Sequence, residues 1–285
     1  MKGILLTAGK GSRLYPMTKA TNKALLPVYD KPLIYYPLDT LMQAGIREIL
    51  IIISPGNEDA FEELLGDGSD LGLSITYKVQ VEARGIADAL ILGKEFIGSD
   101  DICLILGDNI FYHPKIKEML QITEKEMDGA VVFGYWVEDP RPFGVAEFDE
   151  WGRVVSIEEK PQNPKSNYII PGLYFYDNQA IEIAQNLKPS QRGELEITDV
   201  NAEYLQRGQL RIIPMEKDVL WFDAGNADRL FRASEAIRRL QQDGRYIGCI
   251  EETAYENGYI SLDHIHSLGE RIVMTEYGQY LKELK

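Results

Sequence analysis

Apolar strand-like runs that alternate with helical patterns constrain this chain more than any other feature of it. Ile4-Leu5-Leu6, Glu48–Ile53, Leu73–Val79, Ile102–Leu106 and Ala130–Val137 are short and mostly apolar. Such runs predict strands buried in a sheet with both faces covered. Between the first two, Leu33, Tyr36, Leu41 and Ala44 recur at helical spacing after Pro32 and before Gly45. Proline suits a helix's first position and glycine its end. Asn57 and Gly66 bracket a second helical stretch, Glu58–Leu65, with Asn57 as its cap. Helical patterns also occupy Ile86–Phe96 and Pro114–Met127. Alternation of this kind through residue 137 predicts an α/β fold built on a largely parallel sheet.

The second half is less regular. Strand-like pieces fall at Val145–Phe148, Val154–Glu158, Gly172–Tyr176 and Leu210–Pro214, and helices at Asn178–Leu187, Glu194–Gln206 and Ala227–Gln242. From Glu251 the pattern is helical, with breaks expected at Gly258 and Gly269. No linker, low-complexity tract or repeat interrupts the chain, so residues 1–250 read as one domain with a helical segment, 251–285, packed on it.

Charge narrows the function. The 285 residues carry 30 Lys plus Arg and 45 Asp plus Glu, a formal net charge of −15. That excludes a broad basic face for nucleic acid. No apolar run approaches a membrane span and no secretory signal opens the chain, so a cytoplasmic protein is expected. Two cysteines, Cys103 and Cys249, exclude a disulfide framework. Against this acidic background, Lys10, Arg13, Lys19, Lys23 and Lys31 face only Asp30 within residues 10–31. A small cationic segment suits a small polyanion better than a polymer.

Glycines sharpen that reading. Thr7-Ala8-Gly9-Lys10-Gly11-Ser12-Arg13-Leu14 follows the first strand directly. Gly9 and Gly11 let backbone N–H groups approach a phosphate, Arg13 offers a fork of donors, and Lys23 a mobile charge. The P-loop pattern is absent. The dinucleotide fingerprint lacks its third glycine, where Leu14 stands, and Ile53-Ser54 lacks the acid that would hold a ribose, which disfavours a dehydrogenase.

The segments Gly9–Thr18 and Lys23–Tyr36 resemble the signature of the sugar-nucleotide pyrophosphorylases, a sugar nucleotidyltransferase family. Leu106–Phe111, Glu158-Glu159-Lys160-Pro161, Gly172–Asp177, Arg192–Asp199, Trp221–Gly225 and Gly278–Leu281 continue the resemblance in order along essentially the whole chain. It implies a Rossmann-like nucleotidyltransferase: a mixed, mostly parallel central sheet with helices on both faces, a nucleotide-binding first half and a sugar-phosphate-binding second half. The implied reaction joins dTTP and α-D-glucose 1-phosphate to give dTDP-glucose and pyrophosphate, the opening step toward dTDP-L-rhamnose and other deoxysugars. A UTP-dependent relative and a catalytically silent sugar-nucleotide sensor are the alternatives.

That chemistry needs alignment of two polyanions and neutralisation of their charge, and no nucleophilic Ser or Cys. The resemblance assigns the triphosphate to Ala8, Gly9, Gly11, Ser12, Arg13 and Lys23. It gives the sugar phosphate to Lys160, with Gly144 and Ile170 contacting it through their backbones and Asn109 and Glu159 bonding the sugar hydroxyls. Asp108 and Asp223 would hold Mg²⁺, two hard oxygen ligands completed by phosphate and water. Arg13, Lys23, Asp108 and Lys160 form the implied catalytic set. Gln80 offers an acceptor and a donor to a thymine or uracil edge, and Gly85 a close backbone approach. Four positions depart from the family pattern: Ala8 for Gly, Ser12 for Thr, Asp88 where relatives often carry Gln, and Arg84 as an added charge. The last two lie beside the base position and leave its preference open. Relatives of this length form homotetramers, and the helical tail is the implied contact. His264-Ile265-His266 reads as packing, and Cys103 as core.

Overall fold

The computed structural model describes residues 1–244 and 246–285. β1 (Lys2–Leu6) leads through a long loop to a hairpin, β2 (Pro27–Val28) and β3 (Lys31–Pro32), and on to α1 (Tyr35–Gln43). β4 (Glu48–Ile53), α2 (Glu58–Leu65), β5 (Ser74–Val79), α3 (Asp88–Leu92) and α4 (Lys94–Ile97) follow. β6 (Ile102–Leu106) and β7 (Asn109–Tyr112) precede α5 (Ile116–Lys125) and β8 (Ala130–Trp136). The second half contributes β9 (Gly144–Phe148), β10 (Val154–Glu159), β11 (Tyr168–Ile169) and β12 (Leu173–Tyr176). It continues with α6 (Gln179–Asn186), α7 (Ile197–Gln206), β13 (Leu210–Pro214), β14 (Leu220–Asp223) and α8 (Ala227–Gln242). The tail is α9 (Ile250–Glu256), α10 (Leu262–Arg271) and α11 (Glu276–Glu283).

Among the described residues, ten strands form one sheet in the order β10-β9-β11-β8-β12-β6-β1-β4-β5, with β13 also paired to β8. β6, β1, β4 and β5 run parallel, β12 is antiparallel to β6 and β8, and β13 is parallel to β8. The centre is therefore mixed and mostly parallel, and the β9–β11 end is antiparallel.

Alternation along the central strands divides the core between two faces. Ile49, Ile51, Ile53, Cys103 and Ile105 pack with Leu38 and Leu41 of α1 and Phe61 of α2. Leu50, Ile52, Ile102 and Leu104 pack with Leu90, Ile97, Ile181 and Val200 from α3, α4, α6 and α7. Ile250 and Ala254 of α9 join the α1 side. Among the described residues, no helix is long and apolar enough to cross a membrane.

Local readings need four corrections. Pro32 does not open α1. It lies in β3, because the chain reverses at Tyr29 (φ 60°) and pairs Val28 with Lys31 before the helix starts. Asn57 precedes α2 without capping it, since its amide donates to Ser54 Oγ at 3.1 Å. The pattern Ile86–Phe96 divides at Gly93 into α3 and α4. Gly269 does not break the tail: it is buried inside α10, where a Cβ would lie 2.8 Å from the Gly278 carbonyl of α11.

Candidate active site

The glycine loop takes its shape from one residue. Gly11 is left-handed (φ 59°, ψ 25°), and a Cβ there would meet Thr18 Cγ2 at 3.1 Å and Lys23 Cβ at 3.3 Å. Such a backbone excludes most other residues. The chain then makes a single 3₁₀ turn, Ser12–Leu14, rather than a helix, and Leu14 is buried with Tyr36 and Leu230. That is why no third glycine is needed. Ala8 is buried without positive φ, and Gly9, Ser12 and Arg13 are exposed.

Lys23 is placed by a neighbour that sequence reasoning passed over. Asn22, 4% exposed, accepts from the Ala24 N–H at 2.8 Å and donates to the Thr7 carbonyl (3.0 Å) and Ser54 Oγ (3.1 Å). It ties the Lys23 turn to the ends of β1 and β4. Asparagine ahead of a short helical turn is the sequence signal for such a cap.

Lys23 Nζ donates to Asp108 Oδ2 at 2.5 Å, and Asn109 Nδ2 donates to Oδ1 at 2.7 Å. Asp108 stands between β6 and β7. β7 pairs antiparallel with β14 so that Asn109 opposes Asp223, and the Ala224 N–H donates to the Asp108 carbonyl at 3.0 Å. Asp108, in the turn before β7, and Asp223, at the end of β14, are thus brought together from distant parts of the sequence. This two-stranded ribbon was not predicted, nor was Arg229, whose Nη1 pairs with Asp223 Oδ2.

Electrostatics treats the two acids differently. Burial pushes Asp108 up, but Lys23, the Asn109 amide and Arg13 outweigh it and hold its carboxyl below the ordinary range. Burial and the charge of Asp108 raise Asp223, against Lys23, Arg229 and Arg13. The carboxylates therefore feel each other and the same two cations. Counting Arg229, three cations face two acids.

The sugar-side residues assemble at the β9–β10 edge. Gly144 opposes Glu159 in register, and the Ile170 N–H donates to the Gly144 carbonyl at 2.9 Å. Glu159 accepts from Thr198 Oγ1 at 2.5 Å and pairs with Lys160 (3.3 Å) and Arg192 (3.4 Å). Thr198 and Arg192 belong to a block the sequence flagged without assigning them roles. Lys160 is left-handed (φ 45°), a conformation costing on the order of 1–3 kcal/mol. Its N–H is fixed to the Phe143 carbonyl at 2.9 Å. Phe143 packs on Trp221 with ring centroids 5.4 Å apart, and Trp221 Nε1 donates to Asn109 Oδ1 at 2.7 Å. These contacts join the Lys160 edge to the two aspartates.

Asn109 is held by three neighbours. It is 3% exposed, its Oδ1 also accepts from the Gly172 N–H at 3.1 Å, and its Nδ2 serves Asp108. Its amide bonds Asp108, Trp221 and Gly172, which fix the orientation of the side chain. Gly85 also has a structural reason to be glycine. At φ 105° its Cβ would lie 2.4 Å from the Leu195 carbonyl oxygen. Gln80 is buried at the end of β5, where its Nε2 donates to Asp88 Oδ2 at 2.9 Å.

The nucleotidyl transferase family matches residues 2–239. The chain belongs to that family. This nucleotidyltransferase is 50% identical, over 100% of its own length and 99% of the relative's, to a glucose-1-phosphate thymidylyltransferase of Neisseria meningitidis serogroup A / serotype 4A (strain DSM 15465 / Z2491). A Bacillus anthracis crystal structure given the same name provisionally, in complex with a sucrose, is 45% identical. It superposes with a TM-score of 0.77 over 84% of this chain and 95% of that one. UDP-glucose pyrophosphorylase complexed with UDP-glucose is 26% identical, with a TM-score of 0.72 over 84% and 98%.

In this nucleotidyltransferase the cationic segment is not one patch. Lys31 is 3% exposed, its Nζ bonded to Asp30 (2.7 Å) and Gln241 (2.8 Å) above three tyrosine rings. The side chains His264 and His266 bond the Asp70 and Leu284 carbonyls and serve packing. Cys103 is fully buried.

Proposed function

We propose that this nucleotidyltransferase joins dTTP and α-D-glucose 1-phosphate, giving dTDP-glucose and pyrophosphate. A phosphate oxygen of the sugar phosphate attacks the α-phosphorus. The bond from that phosphorus to the bridging oxygen of the β-phosphate breaks, and pyrophosphate leaves with the electron pair. The observation that carries the reading is the convergence of Arg13, Lys23, Asp108 and Asp223 at the carboxyl ends of β1 and β6, linked through Asn109, Trp221 and Phe143 to Lys160. Full-length similarity to glucose-1-phosphate thymidylyltransferases supports the choice of substrates.

The attacking phosphate is mostly ionised at neutral pH, since its second pKa is about 6, so no strong base is required. Repulsion between the substrates is the obstacle: about 1 kcal/mol per charge pair at roughly 4 Å in water, and several-fold more in a drier cleft. Arg13 and Lys23 offset charge on the triphosphate. Ala8, Gly9, Gly11 and Ser12 wrap it through their backbones, and Lys160 holds the sugar phosphate. Glu159, steadied by Thr198, and the backbone at Gly144 and Ile170 orient the sugar. Gln80 reads the base, with Gly85 shaping the loop beside it.

Asp108 and Asp223 fit Mg²⁺: two hard carboxylates, one in the turn before β7 and one on β14, close enough to repel. Held by these two residues, the ion would supply neutralising charge to the triphosphate and the leaving pyrophosphate. The reading includes a cytoplasmic homotetramer, which light scattering of the purified protein tests in its oligomeric part.

A panel of dTTP, UTP, dCTP and ATP against glucose, mannose and galactose 1-phosphates, read by pyrophosphate release, tests the reaction. Highest kcat/KM for dTTP with glucose 1-phosphate is expected. Preference for UTP makes the protein a uridylyltransferase, and binding without pyrophosphate release makes it a sensor.

A further inference from the structure

Asp88 is 3% exposed at the start of α3, and its carboxylate has two unlike oxygens. Oδ2 accepts from Gln80 Nε2 at 2.9 Å. Among the described residues Oδ1 is buried without a hydrogen-bond partner, and the half-exposed Arg84 reaches it as an ion pair at 3.7 Å. Gln80 is 7% exposed, its backbone is fixed by N–H donation to the Ile53 carbonyl at 2.9 Å, and its bond to Asp88 is the one side-chain hydrogen bond it makes among the described residues.

A glutamine amide can rotate half a turn and exchange its oxygen for its nitrogen with almost no change of shape. Beside a neutral partner it could present either order. Beside the Asp88 carboxylate, which accepts from it and pairs with Arg84, it cannot, because a reversed amide would set oxygen against oxygen. One N–H is thereby spent on Asp88. The free edge then reads acceptor from Oε1 and donor from the second N–H.

We infer that Asp88 is a positioning residue that locks the Gln80 amide in one orientation and so makes the site select a keto pyrimidine over an amino pyrimidine. The inference rests on Gln80 facing the base, as proposed above. Thymine and uracil present N3–H beside the O4 acceptor, which complements the locked edge. Cytosine presents a bare N3 beside an amino group, which requires the reversed amide. Arg84, the added charge at this place, supports the lock by pairing with the carboxylate it depends on.

Calorimetric binding of dTTP and dCTP to the wild-type protein, Asp88→Asn, Asp88→Ala and Gln80→Ala tests this without needing turnover. Asparagine can turn either group toward Gln80, so Asp88→Asn is expected to tighten dCTP and narrow the dCTP-to-dTTP Kd ratio at least about ten-fold. Asp88→Ala, which frees the amide, narrows it in the same direction, and melting curves confirm that both variants are folded. A tighter dCTP complex is a gain that mere loss of structure does not produce. An unchanged ratio in both Asp88 variants, with the ratio lost in Gln80→Ala, overturns the lock while leaving Gln80 as base reader. An unchanged ratio in Gln80→Ala overturns both. Absence of pyrophosphate release with binding selectivity intact would sink the proposed reaction and leave the lock standing.

Discussion

Lys23 and Lys31 come from the same cationic segment and meet opposite ends. At the carboxyl edge of the sheet, Lys23 pairs with Asp108 where a second acid, Asp223, and two arginines share the same field. Lys31 lies in the seam where the tail docks. There Asp30 and Gln241 take its hydrogen bonds, and the rings of Tyr36, Tyr246 and Tyr277 lie 4.8–5.7 Å away. Burial lowers the Lys31 pKa against the pull of Asp30. The edge keeps charges that outnumber and share their partners, which a polyanion or a metal ion can rearrange. The seam satisfies its charge internally. A run of lysines in a sequence counts charge, and only the surroundings decide whether that charge is available.

The sharpest way to break the contrast is at Lys23. Lys23→Ala is expected to lower kcat by about 10²–10³-fold, the scale for losing one fixed donor to transition-state charge. Steady-state pyrophosphate release measures it, and a loss under ten-fold would place Lys23 outside the chemistry. Next in size is the metal requirement. Asp108→Asn and Asp223→Asn should each raise the Mg²⁺ concentration for half-maximal rate about 10- to 100-fold, with magnesium titration as the readout. Lys31→Met reverses the pattern. Breaking a buried pair costs about 3–5 kcal/mol, so a fall in Tm on the order of 10 °C is expected. Turnover per folded molecule should stay within about three-fold, and a large loss of kcat at unchanged Tm would erase the distinction between the two lysines.

Much of the edge was legible in the sequence and much of the seam was not. Continuous apolar runs such as Ile49–Ile53 fix a doubly covered sheet because every side chain must be buried. Gly9 and Gly11 after such a strand mark a loop that admits close approach. What periodicity could not supply was long-range pairing. β7 and β14 are four residues each and gain meaning only when Asn109 opposes Asp223. The resemblance gave Asn109 to the sugar, but its three protein partners appear only once β7, β12 and β14 are in place. Lys31 looked like one more cation for a polyanion for a similar reason: its aromatic enclosure comes from α1, the segment before α9, and α11, which no local window contains together.

A carboxylate in the seam offers the finest test of the comparison. Asp39 of α1 is 5% exposed and accepts from Thr253 Oγ1 at 2.5 Å and Gln43 Nε2 at 2.7 Å. Burial pushes its carboxyl up to about 7, helped by the charges of Glu252 and Glu256 and opposed by the Thr253 and Gln43 hydrogen bonds. Asp108, which has cations at hand, moves the other way. With an unfolded value of 3.8, Asp39 makes the folded state bind an extra proton between pH 3.8 and about 7. Its contribution is therefore fully present below that window and is lost as pH rises through it. Asp39→Asn keeps an acceptor for Thr253 and removes the titration. The variant should gain on the wild-type protein as pH rises from 5 to 7, by at most about 1.4 kcal/mol per pH unit, or a few degrees of Tm. Melting both proteins across pH 5 to 8 measures the gap. A gap that stays constant means that Asp39 is ionised in the seam throughout, and that the seam tolerates an unpaired charge as the edge does.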